Sequence, residues 1–382
     1  MAARLDIILF GATGLVGRYG LKYLHKIARE KNLTWGVAGR KEIKLRNVLN
    51  QLEEETGDET IAEVPIILAD MYDSESIHVM TSKTRVLVNS CGPLRAIGEI
   101  VIKSCIKTET HYVDVSGEEN FVEKVRLEYH EEAKKAGIYV VNACGVGCLL
   151  YDLGVLYIQK QFPGTLNSVD TFLNMSRDEP SPEGPYYNIS TWKSAIDLLI
   201  NKKELKVIQS KIPPLNTPKL YPSVSSKILP FRPKVDEGWA VALKSSDHGI
   251  MQRTQQYLYE EENIRPVQLH TYLILKYLWH LFFFIISGII FAIMAQFEFG
   301  RKLLMKYAFY FSFGWFDTKE PSKEMCEKSW LRFTILGKGW KDMVVRAERN
   351  VRRSPIMPCC CNLKVETQLM VPLDFVWSYL VL

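Results

Sequence analysis

The sequence of 382 residues predicts an α/β protein. We expect a doubly wound parallel sheet, followed by a second α/β domain with a mostly antiparallel sheet and an inserted hydrophobic, membrane-associated segment. Three observations support this fold class: a glycine-rich turn directly after the first apolar run, strand and helix patterns that alternate over residues 1–150, and 21 uncharged positions between Lys276 and Glu298.

The composition is that of a globular protein, with 47% hydrophobic and 24% charged residues. A chain of this length can form two full-sized domain cores. The net charge of +5 is too small an excess to indicate nucleic acid as a partner.

The cysteines and the first residues indicate a compartment. The eight cysteines show no metal-ligand spacing, so we predict no metal site and expect reduced thiols. The chain enters a strand almost at once in "MAARLDIILF", which leaves no room for a secretory signal. We therefore expect the protein not to be secreted and residues 1–270 to face the cytosol.

The first strand, residues 7–10, leads into the glycine turn "GATGLVG", and an amphipathic stretch follows. Without side chains at this strand-to-helix turn, the backbone can approach a pyrophosphate, whose charge the helix start stabilises. This pattern is typical of a Rossmann-type dinucleotide site, although a tight turn in a nucleotide-free domain remains an alternative. The predicted cofactor contacts are Gly11, Ala12, Thr13, Gly14, Leu15 and Gly17.

The second strand, residues 34–38, precedes Gly39, Arg40 and Lys41. A cofactor with a free ribose 2′-hydroxyl would normally meet an acidic residue here, and none is present. The guanidinium of Arg40 instead suits a 2′-phosphate, which favours NADP(H) over NAD(H). A solvated arginine that starts the next helix is the alternative.

Two further strands, residues 64–69 and 86–89, extend the sheet, and the second ends in the turn "SCGPLRAIG". Doubly wound sheets bind ligands at the carboxyl ends of their strands. The predicted contacts in this turn are Asn89, Gly92 and Pro93. Arg95, just beyond them, is a candidate to hold an anionic substrate or a cofactor phosphate, and a helix is expected from residue 99.

The next strand, in "HYVDVSGE", carries Asp114, Ser116 and Glu118 to the same rim. A hydride-transferring enzyme usually needs a proton donor or acceptor beside the nicotinamide, so we assign these three side chains to the catalytic site region. For Glu118 a role at the start of the next helix is an alternative, because carboxylates are favoured there.

Seven segments of the sequence resemble motifs of a known family. They are "GATGLVGRYG", "WGVAGRKEIKL", "NSCGPLRAIGEIVIKSC", "YVDVSGEENF", "TWKSA", "RTQQYLY" and "FGWF". Together they resemble the saccharopine dehydrogenase-like oxidoreductases of animals and, more distantly, bacterial trans-acting enoyl reductases, over roughly residues 4–340. The resemblance implies a Rossmann domain, a second α/β domain with an antiparallel sheet, oxidoreductase activity, and association with membranes or lipid droplets.

Two segments depart from the family pattern. After Asn142 the family usually has a small polar turn, whereas this chain has "CGVGCLLYDLG", in which only Asp152 and Gly154 match. After residue 343 the further strands that the resemblance implies do not follow. The altered turn flanks the expected active cleft and leaves a catalytically inactive scaffold as an alternative.

The second half of the chain changes its pattern. A strand is expected over residues 168–174, a helix from Thr191, and another strand over residues 329–340. The expected domains are a cofactor domain over 1–150, a second domain over 151–276 and 313–343, a hydrophobic segment over 277–312 that interrupts it, and an atypical tail over 344–382.

The hydrophobic segment is long enough to cross a bilayer as a helix. A single crossing, however, would place the strand at 329–340 on the far side of the membrane from its own sheet. Aromatic and basic residues flank the segment on both sides, as is typical of residues at a lipid interface. We predict insertion into one leaflet, with a true span, a buried core helix or a dimer interface as alternatives.

The sequence therefore predicts an NADP(H)-dependent oxidoreductase on the cytosolic face of a membrane or lipid droplet, acting on a lipid or other hydrophobic substrate. A role in lipid or glycolipid metabolism fits this prediction, and a homo-oligomer is compatible with it. A catalytically inactive Rossmann scaffold at lipid surfaces is one alternative. A saccharopine dehydrogenase-type enzyme is another, which gives no reason for a membrane segment.

Overall fold

Two sheets organise the chain in this computed structural model, which describes residues 3–177, 187–212, 217–243, 246–319, 322–340 and 367–369. The first sheet contains β1 (Leu5–Phe10), β2 (Trp35–Gly39), β3 (Ile66–Leu68), β4 (Thr84–Asn89), β5 (His111–Asp114) and β6 (Val140–Val141). All its pairings are parallel, in the order β3-β2-β1-β4-β5-β6. The strand order reverses between β1 and β4, so a crevice opens beyond their carboxyl ends, where such sheets bind ligands.

Helices cover both faces of this sheet: α1 (Leu15–Lys31), α2 (Glu42–Thr56), α3 (Ser74–Ser82), α4 (Leu94–Lys107) and α5 (Glu119–Ala136), with a 3₁₀ turn at Glu59–Glu63. Successive side chains of β1 point to opposite faces. Leu9 packs with Leu21 in the layer of α1 and α2, whereas Ile8 packs with Val101 in the layer of α4 and α5. This doubly wound Rossmann-type sheet confirms the predicted fold class.

Helix α4 begins five residues earlier than predicted, at Leu94 instead of residue 99. Its first turn is stabilised from a distance, because the Glu118 carboxylate accepts a hydrogen bond from the Arg95 backbone N–H at 2.8 Å. A capping partner 23 residues further along the chain gives no signal in the local sequence pattern.

The second group of strands is β7 (Thr165–Arg177), β8 (Tyr187–Asn188), β9 (Trp239–Ala242), β10 (Gln268–Leu275), β11 (Phe316–Asp317), β12 (Ser329–Trp340) and β13 (Thr367–Leu369). Five of them form a sheet in the order β13-β12-β7-β10-β9, and β8 pairs with β11 separately. In the larger sheet β7 and β10 are parallel and the other three pairings are antiparallel, so the expected antiparallel character is confirmed in a mixed sheet.

The helices of this half are α6 (Val146–Gln161), α7 (Ile189–Ile200), α8 (Lys202–Lys211), α9 (Ser246–Glu262), α10 (Leu278–Ala295), α11 (Glu298–Lys306), α12 (Ala308–Phe311) and α13 (Lys323–Lys328). Helices α6 and α9 cover one face of the sheet, where Tyr151 contacts Phe333 edge to face with ring centroids 4.8 Å apart. On the other face Phe172 and Tyr272 pack beneath Phe231.

The predicted tail over 344–382 lies outside the described residues except for β13. This three-residue strand pairs antiparallel with β12, from Phe333 with Thr367 to Leu331 with Leu369. The sequence did not predict it, because three residues are too few to show a strand periodicity.

Helix α10 follows β10 directly and is the most exposed apolar element of the described chain. By length and composition alone it could cross a membrane, and 11% of it is buried. Its two ends nevertheless pack on the protein, since Leu281 is 7% exposed and Ala295 is fully buried. The chain then returns through α11 to α13, and Ser329 of β12 pairs beside Arg177 at the end of β7. Because β10 runs parallel to β7, the segment leaves the sheet and re-enters it at the same end of the strands, the carboxyl end of β7.

Candidate functional site

The turn after β1 depends on glycine at its first position. Gly11 has a φ of +91°, and a Cβ there would lie 2.7 Å from Cys91 Sγ and 2.9 Å from the Cys91 backbone nitrogen. Its N–H donates to the Ala38 carbonyl at 3.0 Å, which fixes the turn to β2. Any other residue would be strained and would collide with the turn after β4.

The other two glycines differ from each other. A Cβ on Gly17 would lie 2.2 Å from the Gly11 carbonyl oxygen, so Gly17 permits close packing of α1 on the turn. Gly14 is exposed, has a φ of −73°, and a Cβ there would have its nearest neighbour at 3.4 Å. Packing therefore does not require glycine at Gly14, but a ligand approaching the start of α1 would.

The start of α1 is suited to an anion. Gly14 caps the helix without a side-chain acceptor, and no acidic residue lies in the first turn. The first backbone N–H groups of a helix have no intrahelical partner, and the helix dipole places partial positive charge beside them. Ala12 is buried below the turn, whereas Thr13 and Leu15 are partly exposed along its edge.

Arg40 lies at the carboxyl end of β2, next to β1, and its side chain is exposed. Burial raises the pKa of the Cys91 thiol to about 12, and the positive charge of Arg40 opposes that rise. Phe10 pairs with Ala38, and the Gly11 N–H donates to the Ala38 carbonyl, so Arg40 follows β2 at the same rim as the glycine turn. Among the described residues Arg40 forms no ion pair, so its charge is available to a ligand phosphate.

The turn after β4 is held by Asn89. Its buried side chain donates to the Tyr112 hydroxyl at 3.1 Å and accepts from the Cys91 N–H at 3.0 Å. Gly92, joined to Pro93 by a cis peptide, has no atom within 4 Å of where a Cβ would stand. Asn89 thus shapes the turn, and Gly92 borders open space at the predicted cofactor site.

Asp114 is fully buried at the end of β5. One carboxylate oxygen accepts from the Ser116 N–H, the Ser116 hydroxyl and the Ala143 N–H at 2.7 to 3.0 Å. The other accepts from the Tyr112 hydroxyl at 2.9 Å and the Asn142 amide at 2.7 Å. These five bonds tie β5 to the chain after β6, so the geometry favours a structural role for Asp114 and Ser116 at the rim.

Glu118 makes fewer hydrogen bonds than Asp114. One of its carboxylate oxygens accepts from the Arg95 N–H and so caps α4. Burial raises the pKa of Glu118; that hydrogen bond opposes the rise, and the charges of Asp197 and Asp114 add to it. A carboxyl group with a raised pKa at such a rim suits proton exchange. Of the three predicted site residues, Glu118 has the chemistry that best fits a reacting group.

The Arg95 guanidinium does not face an empty anion site. It forms an ion pair with Glu204 of α8 at 2.5 Å, and Asn120 donates to the same carboxylate at 3.2 Å. Arg95 therefore connects α4 to the second half of the chain. The two thiols at this rim are also unsuited to nucleophilic attack, because burial raises the pKa of Cys91 and of Cys144 to about 12.

A polar cluster joins the two halves of the molecule through the motif "RTQQYLY" of α9. Arg253 pairs with Glu123 of α5, with 3.0 Å between Nε and the carboxylate, and both side chains are largely buried. Thr254 donates to Asp152 of α6 at 2.8 Å. Burial raises the pKa of Asp152 to about 6, against that hydrogen bond and the charge of Arg253. The sequence shows the motif but not its part in this polar cluster, because the partners of the motif residues lie about 100 or more positions away in the chain.

Sequence reasoning also missed a large cavity, which does not lie at the glycine turn. It has a volume of about 1450 Å³ and opens between the second sheet and α10. Residues of β7, β10 and β12 form its floor, and residues of α7, α10 and the segment after α12 form its walls.

Comparison with known proteins agrees with this arrangement. The family described as "Saccharopine dehydrogenase NADP binding domain" matches residues 7–141, which cover the first sheet and confirm the predicted preference for NADP(H) over NAD(H). The "Saccharopine dehydrogenase-like oxidoreductase" of Rattus norvegicus is 32% identical over 94% of this chain and 83% of its own length. The "Lipid droplet localized protein" of Caenorhabditis elegans is 30% identical over 94% of this chain and 84% of its own.

Among solved structures, the apo saccharopine dehydrogenase (L-Glu forming) of Saccharomyces cerevisiae is similar with a TM-score of 0.46 and 13% identity. The alignment covers 87% of this chain and 81% of the yeast chain. A likeness of this degree supports no conclusion about substrate.

Proposed function

The chain belongs to the saccharopine dehydrogenase-like oxidoreductase family, and we propose that it is an NADP(H)-dependent oxidoreductase that works at a membrane or lipid-droplet surface on a lipid or other hydrophobic substrate. The observation that supports this most is the exposed, uncharged helix α10, which extends from the second sheet of a dinucleotide-binding protein. A soluble substrate would give no reason for such a surface.

The proposed cofactor site is the crevice between β1 and β4. The backbone at Gly14 and the start of α1 would hold the pyrophosphate, and Arg40 would hold the 2′-phosphate. Bound NADP(H) supplies or accepts the hydride. The chain itself would orient the nicotinamide against the turn at Gly92 and exchange the substrate proton through Glu118, whose pKa burial raises.

The proposed mode of association is insertion of α10 into one leaflet, without crossing. Both ends of α10 pack on the protein, and the chain leaves and re-enters the second sheet at the same end of its strands. A crossing would require the segment after α10 to emerge on the other side. Arg301 donates instead to the carbonyls of Ala295 and Gln296, at 3.0 and 3.3 Å, and holds α11 against the end of α10.

The surface around α10 suits a lipid interface. Aromatic residues are exposed at the start of α10 and beyond its end, including Trp279, Phe299 and Tyr310 at 57%, 74% and 74%. Lys302 and Lys306 lie on α11, where cations can reach lipid head groups. With residues 1–270 expected in the cytosol, this surface would face the cytosolic leaflet of a membrane or the monolayer of a lipid droplet.

Two observations favour a second candidate, an inactive scaffold that binds nucleotide at lipid surfaces. The side chains of Asp114 and Ser116 are engaged in hydrogen bonds within the rim. The turn "CGVGCLL" lacks the small polar residues that the family resemblance implies. Glu118 would then serve only to cap α4.

Consumption of NADPH by the purified full chain separates the two candidates. The chain is mixed with phosphatidylcholine vesicles that carry long-chain aldehydes, ketones or unsaturated acyl lipids, and NADPH absorbance is followed. We expect oxidation that depends on one of these lipids and that Gly14→Ala abolishes. NADPH binding without turnover across the panel would favour the scaffold. Reduction of NADP⁺ by saccharopine, with no turnover of any lipid in the panel, would contradict a lipid substrate.

A further inference from the structure

We propose that the cavity between α10 and the second sheet binds the long acyl chain of a lipid taken from the surface in which α10 lies. This inference deepens the proposed function and depends on its lipid-surface placement, but not on its redox chemistry. The cavity has a volume of about 1450 Å³. Sites for small soluble ligands usually measure about 300–1000 Å³, so this one is large enough for an extended lipid chain.

Helix α10 has two apolar faces, which is unusual for a helix on a protein surface. The outward stripe is Leu278, Phe282, Ile285, Ile289 and Ile293, all between 44% and 61% exposed. The stripe on the opposite side lines the cavity: His280, Phe283, Phe284, Ser287 and Phe291. Both sets repeat at helical spacing. The same helix therefore presents one apolar surface to the outside and a second to the cavity.

The cavity side of α10 is not covered by protein. Phe283 and Phe284 are 44% and 42% exposed although they face the second sheet. At Gly288 no atom lies within 4 Å of where a Cβ would stand. Exposed aromatic side chains on a concave surface need an apolar partner. Because the outward stripe would already lie among lipid chains, a lipid is the nearest molecule that can fill this space.

Two family motifs from the second half of the chain line a wall of the cavity. Trp192 of "TWKSA" donates to the Leu304 carbonyl at 3.0 Å, and its ring centroid lies 4.6 Å from that of Phe291. Phe316 of "FGWF" lies 5.2 Å from the same indole. Trp192 thus joins α7, α10 and α11, which keeps the wall of the cavity in place.

The floor carries a polar group suited to a lipid head. Arg332 pairs with Asp236 at 2.5 Å, and Asn174 donates to the other oxygen of that carboxylate at 3.2 Å. The Arg332 side chain is 27% exposed and lines the cavity. Its exposed part places positive charge at the floor, which suits an ester or carboxyl oxygen at the end of an acyl chain.

The cavity is also close to the proposed reaction site. Helix α7 lines the cavity with Trp192 and Ala195, and two residues further on Asp197 carries a charge that raises the pKa of Glu118. Five residues of helix, from Trp192 to Asp197, rise by about 7.5 Å. Helix α7 therefore connects the wall of the cavity to the surroundings of Glu118 at the cofactor rim.

Photolabelling of the full chain tests this site. The protein is bound to phosphatidylcholine vesicles containing a diazirine-bearing fatty acid or, in a second arm, a phosphatidylcholine with a diazirine in its acyl chain. We expect label on cavity residues such as Trp330 and Met175. Gly288→Phe and Ser287→Phe, which fill the cavity, should each reduce that label at least fivefold. Ile289→Phe, on the outward stripe, should leave it within twofold.

Flotation with vesicles and NADPH titration are measured for every variant. Label confined to the outward stripe, or cavity label unchanged by both filling variants, would overturn the inference. Cavity label that is lost in the filling variants of a protein that neither binds nor oxidises NADPH would overturn the proposed function and leave the lipid site standing. Label by the fatty acid alone would identify a free acid as the ligand, and label by both would identify the acyl chain as the recognised part.

Discussion

At the residue scale, the three glycines of the first turn have different physical roles. Gly11 is needed for its positive φ and Gly17 for close packing, whereas Gly14 leaves space in front of the helix. The spacing of these residues and the place of Arg40 could be predicted from the sequence, because they follow directly from a strand and its turn. The engagement of Asp114 could not, since two of its partners, Asn142 and Ala143, lie 28 and 29 positions away.

Substitution at two of these glycines should separate ligand binding from folding. Gly14→Ala should change the free energy of unfolding by no more than about 1 kcal/mol and weaken NADPH binding at least tenfold, because its methyl group enters the ligand's path. Gly17→Ala should destabilise the protein by about 3 kcal/mol, since its Cβ would lie 2.2 Å from a backbone oxygen. Urea unfolding and NADPH fluorescence measure the two effects. Wild-type affinity in Gly14→Ala would place the ligand elsewhere.

Asp152 should make stability depend on pH. Its pKa is about 6 in the folded protein, above the value near 4 of an unfolded aspartate. The folded state therefore binds more protons between these values, and stability present below pH 4 is lost as the pH rises through 6. Asp152→Asn cannot ionise and keeps an acceptor for Thr254. Over this pH range the free energy of unfolding of the variant should therefore fall by up to about 3 kcal/mol less than that of the wild type. Urea unfolding at pH 4.5 and 7 checks this; parallel curves for the two proteins would contradict it.

At the element scale, the ends of α10 could be predicted because charged residues bracket it, and the strand at 329–340 could be predicted because its pattern is continuous. Those two features together already argued against a crossing. The cavity could not be predicted, because an all-apolar helix gives no indication of which side faces the protein. The predicted start of α4 at residue 99 was wrong. The carboxylate that caps the first turn of this helix comes from Glu118, which is distant in sequence and gives no local signal.

A charge on the outward stripe of α10 should release the protein from lipid. Ile289→Asp removes an apolar side chain worth about 2 kcal/mol on burial and adds a charge that lipid does not solvate, so vesicle binding should fall at least tenfold. Ile228→Asp is the matched control, because Ile228 is 85% exposed but lies outside α10. Flotation with vesicles measures both. Equal binding of the two variants would mean that α10 does not contact lipid.

At the scale of the whole molecule, two sheets with different tasks are joined by buried polar contacts. The alternation of strands and helices was enough to predict the first sheet, because parallel strands connected by helices follow simple rules. The ion pair from Arg253 of α9 to Glu123 of α5 crosses between the two halves and depends on folding of distant segments against one another, so no local pattern shows it. These contacts join the sheet that carries the proposed cofactor crevice to the half of the chain from which α10 extends.

The cofactor crevice is central to the proposed function, and a fluorescence titration of the full chain with NADPH and NADH tests it most directly. Wild-type protein should bind NADPH at least tenfold more tightly than NADH, because a phosphate paired with Arg40 contributes about 1.5–3 kcal/mol. Arg40→Ala should abolish that difference and leave NADH binding unchanged. The absence of NADPH binding, or a preference for NADPH that survives Arg40→Ala, would contradict the account.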